Sequence, residues 1–275
     1  MLKTRVITAL VLLAGLLAAI FLLPPAGWLL LVSLICAGAA WEWGRLARFT
    51  DFQRGIFAVL MGITCAVVGG LAGLAQALQL PPYRLSGFYL ASGLFWLVIV
   101  PFWLARKWQI RGIASAVVVG LVVLLPPALA MAHLRLLDPW VLLAAVASVS
   151  VADIAAYFTG RAFGRHKLAP GISPGKTWEG AGGAVAGVIV FGLILVFSSP
   201  SAVVRGFSLP MLLPLLVAFT AVSIQGDLFE SLLKRQAGVK DSGTLLPGHG
   251  GILDRIDSLT STLPLVGLAA LWLAR

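Results

Sequence analysis

The protein has 275 residues, of which 60% are hydrophobic and 11% charged, with 20 Lys and Arg against 10 Asp and Glu. Its mean hydropathy of +1.02 and its repeated apolar runs are typical of α-helical membrane proteins, because about 20 apolar residues cross roughly 30 Å of hydrocarbon. The polar stretches near 160–180 and 229–258 are too short and too poor in apolar residues to form a soluble domain. The composition therefore predicts an all-α, polytopic integral membrane protein.

The apolar runs predict about nine transmembrane helices. The first run resembles a signal peptide, but it is long for one and is followed by Pro24 and Pro25 instead of small cleavage-site residues, so it is interpreted as a retained span. The fifth run contains Pro126 and Pro127, which favour a kink. The expected spans are roughly 6–23, 27–44, 55–75, 88–105, 113–132, 139–159, 181–198, 209–226 and 259–274.

The Lys and Arg residues fit this count if the N-terminus is cytoplasmic. Sixteen of the 20 then lie inside, and those outside are Arg84, Arg135, Arg205 and Arg275. Cytoplasmic loops of membrane proteins carry such an excess of Lys and Arg. The net charge of +10 is therefore explained by topology and contact with anionic lipid. We expect a multi-pass protein of the cell inner (plasma) membrane, with membrane lipids and no nucleic acid as partners.

The acidic residues are distributed differently. Seven of the ten follow residue 150, at or near the predicted cytoplasmic ends of spans six to nine, and they are Asp153, Glu179, Asp227, Glu230, Asp241, Asp254 and Asp257. Ionisable groups at membrane level are costly, so a cluster of them indicates a functional site.

Two sets of four polar residues share the spacing i, i+3, i+4, i+7, which places each set on one face of a helix. The set in QGDLFESLLKR is Asp227, Glu230, Ser231 and Lys234. The set in LDRIDSLTS is Asp254, Asp257, Ser258 and Ser261. Carboxylates beside lysines suit divalent cations that hold a polyphosphate. The same spacing also fits salt bridges that tie two helices together.

The loop between these sets, QAGVKDSGTLLPGHGG, is rich in glycine. Gly248, Gly250 and Gly251 suit a backbone whose N–H groups approach an anion closely, just before a helix start expected near Leu253. His249 lies between these glycines. It fits either a loop residue that hydrogen-bonds backbone or an acid–base group.

The other polar segment, GRAFGRHKLAPGISPGKTWEG at 160–180, contains the tetrapeptide PGKT. A P-loop is excluded, because Pro170 stands where that motif requires glycine and no βαβ unit surrounds it. The basic residues of the segment fit either a topology signal or a site for an anionic lipid headgroup. Ser173, Lys176 and Thr177 are its candidate binding residues.

The stretch SLLKRQAGVKDSGTLLPGHGGILDRID at 231–257 resembles the signature of the phosphatidate cytidylyltransferases, also called CDP-diacylglycerol synthases. ISPGKTWEG at 172–180 is similar to the second motif of that family. The resemblance covers roughly 150–275, whereas 1–150 holds no diagnostic motif. We therefore divide the chain into N-terminal transmembrane helices, residues 1–150, and a C-terminal catalytic transmembrane region, residues 151–275, with cytoplasmic loops at 160–180 and 229–258.

The resemblance implies that CMP passes from CTP to phosphatidic acid at the cytoplasmic face, releasing pyrophosphate and forming CDP-diacylglycerol with Mg²⁺ and a second cation such as K⁺. The implied metal ligands are Asp227 and Asp254, with Asp257 and Asp241 as further candidates. The predicted catalytic residues are Asp227, Asp254, Lys234, Lys240 and Asp257. The predicted substrate-binding residues are Ser173, Lys176, Thr177, Ser231, Arg235, His249, Gly250, Gly251 and Arg255. The resemblance and the small-residue helix faces also favour a homodimer.

Two other functions are weighed against this one. A secondary transporter also has many spans and intramembrane charges, but its site lies near the midplane between repeated halves. Here the charges gather at one face and the halves share no motif. The second rival is an enzyme that joins a nucleotide to a polyprenyl phosphate, and substrate competition would separate it from the first reading.

Overall fold

The computed structural model describes residues 2–76, 82–205, 208–245 and 250–273. Within these residues the chain forms nine long helical segments, seven of which are long and apolar enough to cross a membrane. The helices are α1 Leu2–Leu22, α2 Pro25–Leu46, α3 Asp51–Leu71, α4 Ser86–Leu94, α5 Val100–Arg106, α6 Ile113–Leu137, α7 Pro139–Phe163, α8 Trp178–Ser198, α9 Ala202–Arg205, α10 Leu209–Ala237 and α11 Leu253–Leu273. The predicted all-α polytopic fold is confirmed.

The fourth segment is continuous from Ser86 to Arg106, because a π-helical turn, Phe95–Ile99, joins α4 to α5. This turn ends at Ile99, two residues before Pro101. Proline has no N–H, and in a regular α-helix its ring would crowd the carbonyl four residues earlier, so the wider π-helical turn relieves the clash. By contrast, α6 continues through Pro126 and Pro127 to Leu137. The proline pair therefore does not end that helix.

Contacts between the ends of the long segments show which of these ends lie together. At one end, the Arg48 guanidinium donates to the carbonyl of Gln236 at 2.6 Å, and the Gln236 amide donates to the carbonyl of Trp108 at 2.9 Å. At the other end, Arg135 donates to the carbonyl of Ile20 at 2.9 Å. The turns after α2, α5 and α10 thus share one end, which is the arrangement that the nine-span count requires.

Both polar segments are more regular than predicted. The segment at 160–180 contains an antiparallel hairpin of β1 Lys167–Ala169 and β2 Ser173–Thr177, and α8 begins directly after it. The segment at 229–258 is half helical, because α10 continues to Ala237 and α11 begins at Leu253. Gly238, with φ +75°, ends α10 in a left-handed conformation that suits glycine. The expected loop at 229–258 therefore shortens to 238–252.

Small residues let α8 lie directly against α7. A Cβ at Gly183 would overlap the Thr159 side chain, and one at Gly187 would lie 2.7 Å from the Cβ of Ala155. The small residues of the run GAGGAVAG, at 180–187, thus permit this close packing. On the other side of the molecule, Phe229 of α10 makes edge-to-face contacts with Trp96 and Trp103, with ring centroids 5.4 and 5.5 Å apart. These contacts fix the polar end of α10.

Candidate functional site

A cavity of about 460 Å³ lies between α7, β2, α8 and α10. Its polar lining comprises Asp153, Tyr157, Arg161, Ser173, Lys176, Thr177 and Asp227. Its apolar lining includes Ala152, Ala156, Ala184 and Ile224. A volume of this size accommodates a small ligand or the polar part of a larger one. The cavity brings the PGKT hairpin, predicted as a binding segment, next to the first aspartate of α10.

Four ionisable side chains form what we call the cavity cluster: Asp153, Lys176, Asp227 and Asp257. The Lys176 ammonium lies 2.7 Å from Asp227 Oδ2, and the Ser231 hydroxyl donates to Asp227 Oδ1 at 3.2 Å. Asp153 and Asp257 interact electrostatically with both Asp227 and Lys176. Three carboxylates from three helices therefore lie within electrostatic range of one ammonium group, which leaves negative charge for a further cation to neutralise.

Gly226 explains how Asp227 and Asp257 come so close. A Cβ at Gly226 would lie 2.5 Å from Ser261 Oγ and 2.7 Å from the backbone oxygen of Asp257. The hydroxyls of Ser258 and Ser261 donate to carbonyls of α10, at Ser223 and Val222. The predicted polar face of α11 thus packs directly on α10, and only glycine permits this separation.

A second group, which we call the loop cluster, consists of Glu42, Glu230, Lys234 and Asp254. The Lys234 ammonium lies 2.8 Å from Glu230 Oε2 and 2.7 Å from Asp254 Oδ1. Asp254 Oδ2 accepts from the N–H groups of Ser242 and Gly251, each at 2.9 Å. The alternative of interhelical salt bridges therefore holds for Lys234 and Asp254, which join α10 to α11.

Glu42, on α2, completes the loop cluster from the half of the chain that holds no motif. Its carboxylate accepts from the Ser242 hydroxyl at 3.0 Å and from the N–H groups of Ile252 and Leu253 at 3.1 and 2.8 Å. Sequence reasoning missed this residue. The available signal was a carboxylate within the apolar run 27–44, because ionisable groups at membrane level usually have a function.

The start of α11 differs from the anion site expected there. The helix begins at Leu253 as predicted, and Gly250 has the expected positive φ, +82°. However, the N–H groups of Gly251, Ile252 and Leu253 donate to Asp254 and Glu42. In this structure the protein's own carboxylates therefore accept from the N–H groups of Gly251, Ile252 and Leu253, and the role of the loop glycines in binding an anion stays a prediction. Gly248 and His249 lie outside the described residues.

The remaining predicted residues differ in exposure. The exposed ones are Arg235, Lys240, Asp241 and Arg255. Thr177 is buried and lines the cavity, but its hydroxyl accepts from the Gly180 N–H at 3.1 Å and so caps the start of α8. Ser173 lines the cavity in a half-buried position. The Thr177 hydroxyl thus has a structural partner in addition to the binding role predicted for it.

The donors present suit a hard cation such as Mg²⁺. Among the residues with a described position, no three His, Cys, Asp or Glu side chains form a group able to hold one metal. Mg²⁺ commonly takes only one or two carboxylates and completes its shell with water and substrate phosphate. Lysine ammonium groups already lie on Asp227 and Asp254, which marks both as cation positions. Within the part of the chain that the structure describes, the buried Glu230 Oε1 also has no hydrogen-bond partner.

Comparisons with known proteins agree with this arrangement. The Cytidylyltransferase family matches residues 3–272. A phosphatidate cytidylyltransferase of Pseudomonas aeruginosa is 42% identical over 100% of this chain and 98% of its own length. Those of Haemophilus influenzae, at 36% identity over 96% of each chain, and of Brucella suis, at 37% over 97% and 92%, are similarly related. The chain therefore belongs to the cytidylyltransferase family and is a nucleotidyltransferase embedded in the membrane.

Proposed function

We propose that this nucleotidyltransferase transfers CMP from CTP to phosphatidic acid at the cytoplasmic face of the membrane, giving CDP-diacylglycerol and pyrophosphate. The observation that carries the proposal is the cavity between α7, β2, α8 and α10, where cationic and acidic side chains meet apolar walls. The three relatives above, similar over nearly their whole length, bear the name of this activity.

The cavity suits a lipid with an anionic headgroup. Lys176 and Arg161 supply positive charge for a phosphate, and Ser173 supplies a hydroxyl. Ala152, Ala184 and Ile224 form the apolar side of the same space. The outward face of α8 is apolar and exposed at Val190 and Ile194, which suits contact with lipid tails. The tails of phosphatidic acid would therefore remain in the bilayer while its phosphate reaches Lys176.

The chemistry needs little acid–base assistance. A phosphate oxygen of phosphatidic acid forms a bond to the α-phosphorus of CTP while the bond from that phosphorus to pyrophosphate breaks. A phosphate monoester with a second pKa near 6 is already mostly dianionic at pH 7, so no strong general base is required. The task of the protein is to bring two anionic substrates together in line and to neutralise their charge.

The two clusters divide this task. Asp227 and Asp254, with Asp257 and Asp241 as further candidates, would hold Mg²⁺ and a second cation such as K⁺. Bound metal supplies neutralising charge to the triphosphate and the leaving pyrophosphate. Lys176 would orient one phosphate from the cavity side, and Lys234 would contact another from the loop side. Lys240, Arg235 and Arg255 remain predicted phosphate contacts, as Gly250, Gly251, Ser231 and His249 remain predicted parts of the substrate site.

The cytoplasmic orientation is supported by charge. The end of the bundle that carries the hairpin and the 238–252 loop also carries Arg45, Arg48, Arg106, Lys107 and Arg111. Membrane proteins place such an excess on the cytoplasmic side. CTP is available there as a soluble substrate. The homodimer favoured by the family resemblance stays a prediction.

Transfer assays test the proposal directly. Purified full-length protein in detergent receives labelled CTP, Mg²⁺ and either phosphatidic acid or a polyprenyl phosphate. We expect pyrophosphate and labelled CMP-lipid in equal amounts with phosphatidic acid, and little product with the polyprenyl acceptor or with UTP or ATP. In sealed vesicles, external CTP should be used only when the vesicles are inverted. Preference for the polyprenyl acceptor would overturn the substrate, and use of external CTP by right-side-out vesicles would overturn the orientation.

A further inference from the structure

Glu42 is a fully enclosed carboxylate inside a membrane-spanning helix, with a residue exposure of 1%. Among the described residues it makes no ion pair with a Lys, Arg or His side chain. Its oxygens instead accept from one hydroxyl and two backbone N–H groups, on Ser242, Ile252 and Leu253. A buried carboxylate is costly without such donors, and N–H groups at a helix start favour negative charge. The donors at the start of α11 therefore stabilise the buried Glu42 carboxylate.

The backbone around Glu42 is shaped to admit it. A Cβ at Gly243 would overlap the Glu42 carboxylate, and a Cβ at Gly251 would overlap both that carboxylate and the Ser242 hydroxyl. One turn earlier on α2, a Cβ at Gly38 would lie 2.7 Å from the Cδ1 of Ile252. Three glycines on two segments thus permit one face of α2 to enter the 238–252 loop.

Glu42 and Asp254 hold the same short pieces of backbone. Ser242 donates its hydroxyl to Glu42 and its N–H to Asp254. The N–H of Gly251 then goes to Asp254, and the next two go to Glu42. Because Asp254 also contacts the Lys234 ammonium at 2.7 Å, a shift of this backbone would move both charged groups.

We propose that Glu42 is a positioning residue for CMP transfer, which fixes the 238–252 loop and the start of α11 so that Asp254 and Lys234 face the substrates. This inference rests on the function proposed above and extends it into the N-terminal half of the chain. Glu42 itself touches no reacting atom. It acts through Ser242 and the N–H groups of Ile252 and Leu253.

The test uses Glu42→Gln, which keeps the size of the side chain but turns an NH₂ group toward backbone donors. Asp51→Asn is the matched control, since Asp51 is an exposed carboxylate at the start of α3 whose ion pair in the described part of the chain is with its neighbour Arg54. We expect Glu42→Gln to lower kcat about tenfold or more while the KM for phosphatidic acid changes less than about twofold, because the cavity lies on other helices. Glu42→Asp should recover part of kcat.

Hydrogen exchange, measured without substrates, gives the second readout. Amides at 251–253 should exchange about tenfold faster in Glu42→Gln, while those of α7 and α8 exchange as in the parent and Asp51→Asn changes neither region. The inference is overturned if the kcat of Glu42→Gln stays near that of the parent. It is also overturned if hydrogen exchange rises throughout the protein and the KM values for CTP and phosphatidic acid both change. A parent that makes no CMP-lipid would instead overturn the proposed function, and the exchange result would remain interpretable.

Discussion

The cavity cluster and the loop cluster each pair a lysine with carboxylates, but the paired side chains are partly exposed in the first cluster and buried in the second. In the cavity cluster, the side chains of Lys176 and Asp227 are 24% and 30% exposed. In the loop cluster, those of Glu230 and Asp254 are only 5% and 7% exposed. Asp254 is also held by two backbone N–H groups, whereas the partners of Asp227 among the described residues are the side chains of Ser231 and Lys176. Ligands can therefore replace the partners of the first cluster at little structural cost, whereas a ligand of Asp254 or Lys234 must leave the backbone N–H groups bound to Asp254 in place.

The carboxylates of the cavity cluster therefore supply charge for the reaction, whereas Asp254 and Glu42 of the loop cluster also hold the backbone in place. Removing a carboxylate from the cavity cluster should affect the reaction alone, because Lys176 still faces Asp153 and Asp257. Removing Asp254 or Glu42 from the loop cluster should affect the reaction and the fold together, because backbone donors lose their acceptor. Substitutions in each cluster, and at Gly226 between α10 and α11, test this difference.

Asp254→Asn should have the largest combined effect. Asp254 Oδ1 accepts from Lys234 and Oδ2 from the N–H groups of Ser242 and Gly251, so the NH₂ group of asparagine faces a donor in either orientation, and Lys234 loses a charged partner. We expect CMP transfer to fall roughly 100-fold, since electrostatic contacts of this kind are worth several kcal/mol in a transition state. Thermal unfolding in detergent should also show a loss of about 2 kcal/mol. Parent-like unfolding would contradict the scaffold role of Asp254.

Gly226→Ala should weaken both clusters by separating α10 from α11. The new Cβ would press on Ser261 Oγ and on the backbone of Asp257, and overpacking of this kind costs about 1–3 kcal/mol. We expect a lower unfolding temperature and a severalfold loss of transfer activity. Gly182→Ala is the control, because a Cβ at Gly182 would meet no described atom within 4 Å other than those of its own stretch of helix. Equal behaviour of the two variants would show that the helices tolerate a wider separation.

Thr177→Ala should have the smallest effect, at the far side of the cavity. The substitution removes the acceptor for the Gly180 N–H, and loss of such a cap costs about 1 kcal/mol. Thr177→Ser keeps the hydroxyl and should restore the unfolding temperature. If the serine variant is as unstable as the alanine variant, the cap contributes nothing. A strong loss of transfer in both would point to a direct contact between Thr177 and substrate.

Periodicity predicted the fold well. Apolar runs long enough for a membrane, with positive charge at alternate ends, predicted all nine long helical segments, because these features act locally along the chain. The i, i+3, i+4, i+7 spacing likewise placed Asp227 with Ser231 and Asp254 near the start of α11. The end of α10 at Ala237 was missed, because hydropathy shows only where a helix leaves the apolar part of the membrane. The residue that ends the helix is Gly238.

The clusters could be predicted only in part, since each depends on contacts between distant segments. Nothing in the spacing of α11 shows that its first N–H groups face Glu42, about 210 residues earlier in the chain. Likewise, the pairing of Lys176 with Asp227 depends on how the β1–β2 hairpin folds over α10. Residue types revealed the chemistry, but tertiary packing decided which donors were free to serve a ligand.

The most direct test of the account is CMP transfer by Asp227→Asn beside the parent and Asp51→Asn. Purified proteins would be assayed for pyrophosphate release and labelled CMP-lipid with CTP, phosphatidic acid and Mg²⁺, and each would be checked by thermal unfolding. We predict at least a roughly 100-fold loss of transfer in Asp227→Asn, with an unfolding temperature equal to that of the parent. Transfer within about twofold of the parent would contradict the placement of the reaction at the cavity cluster.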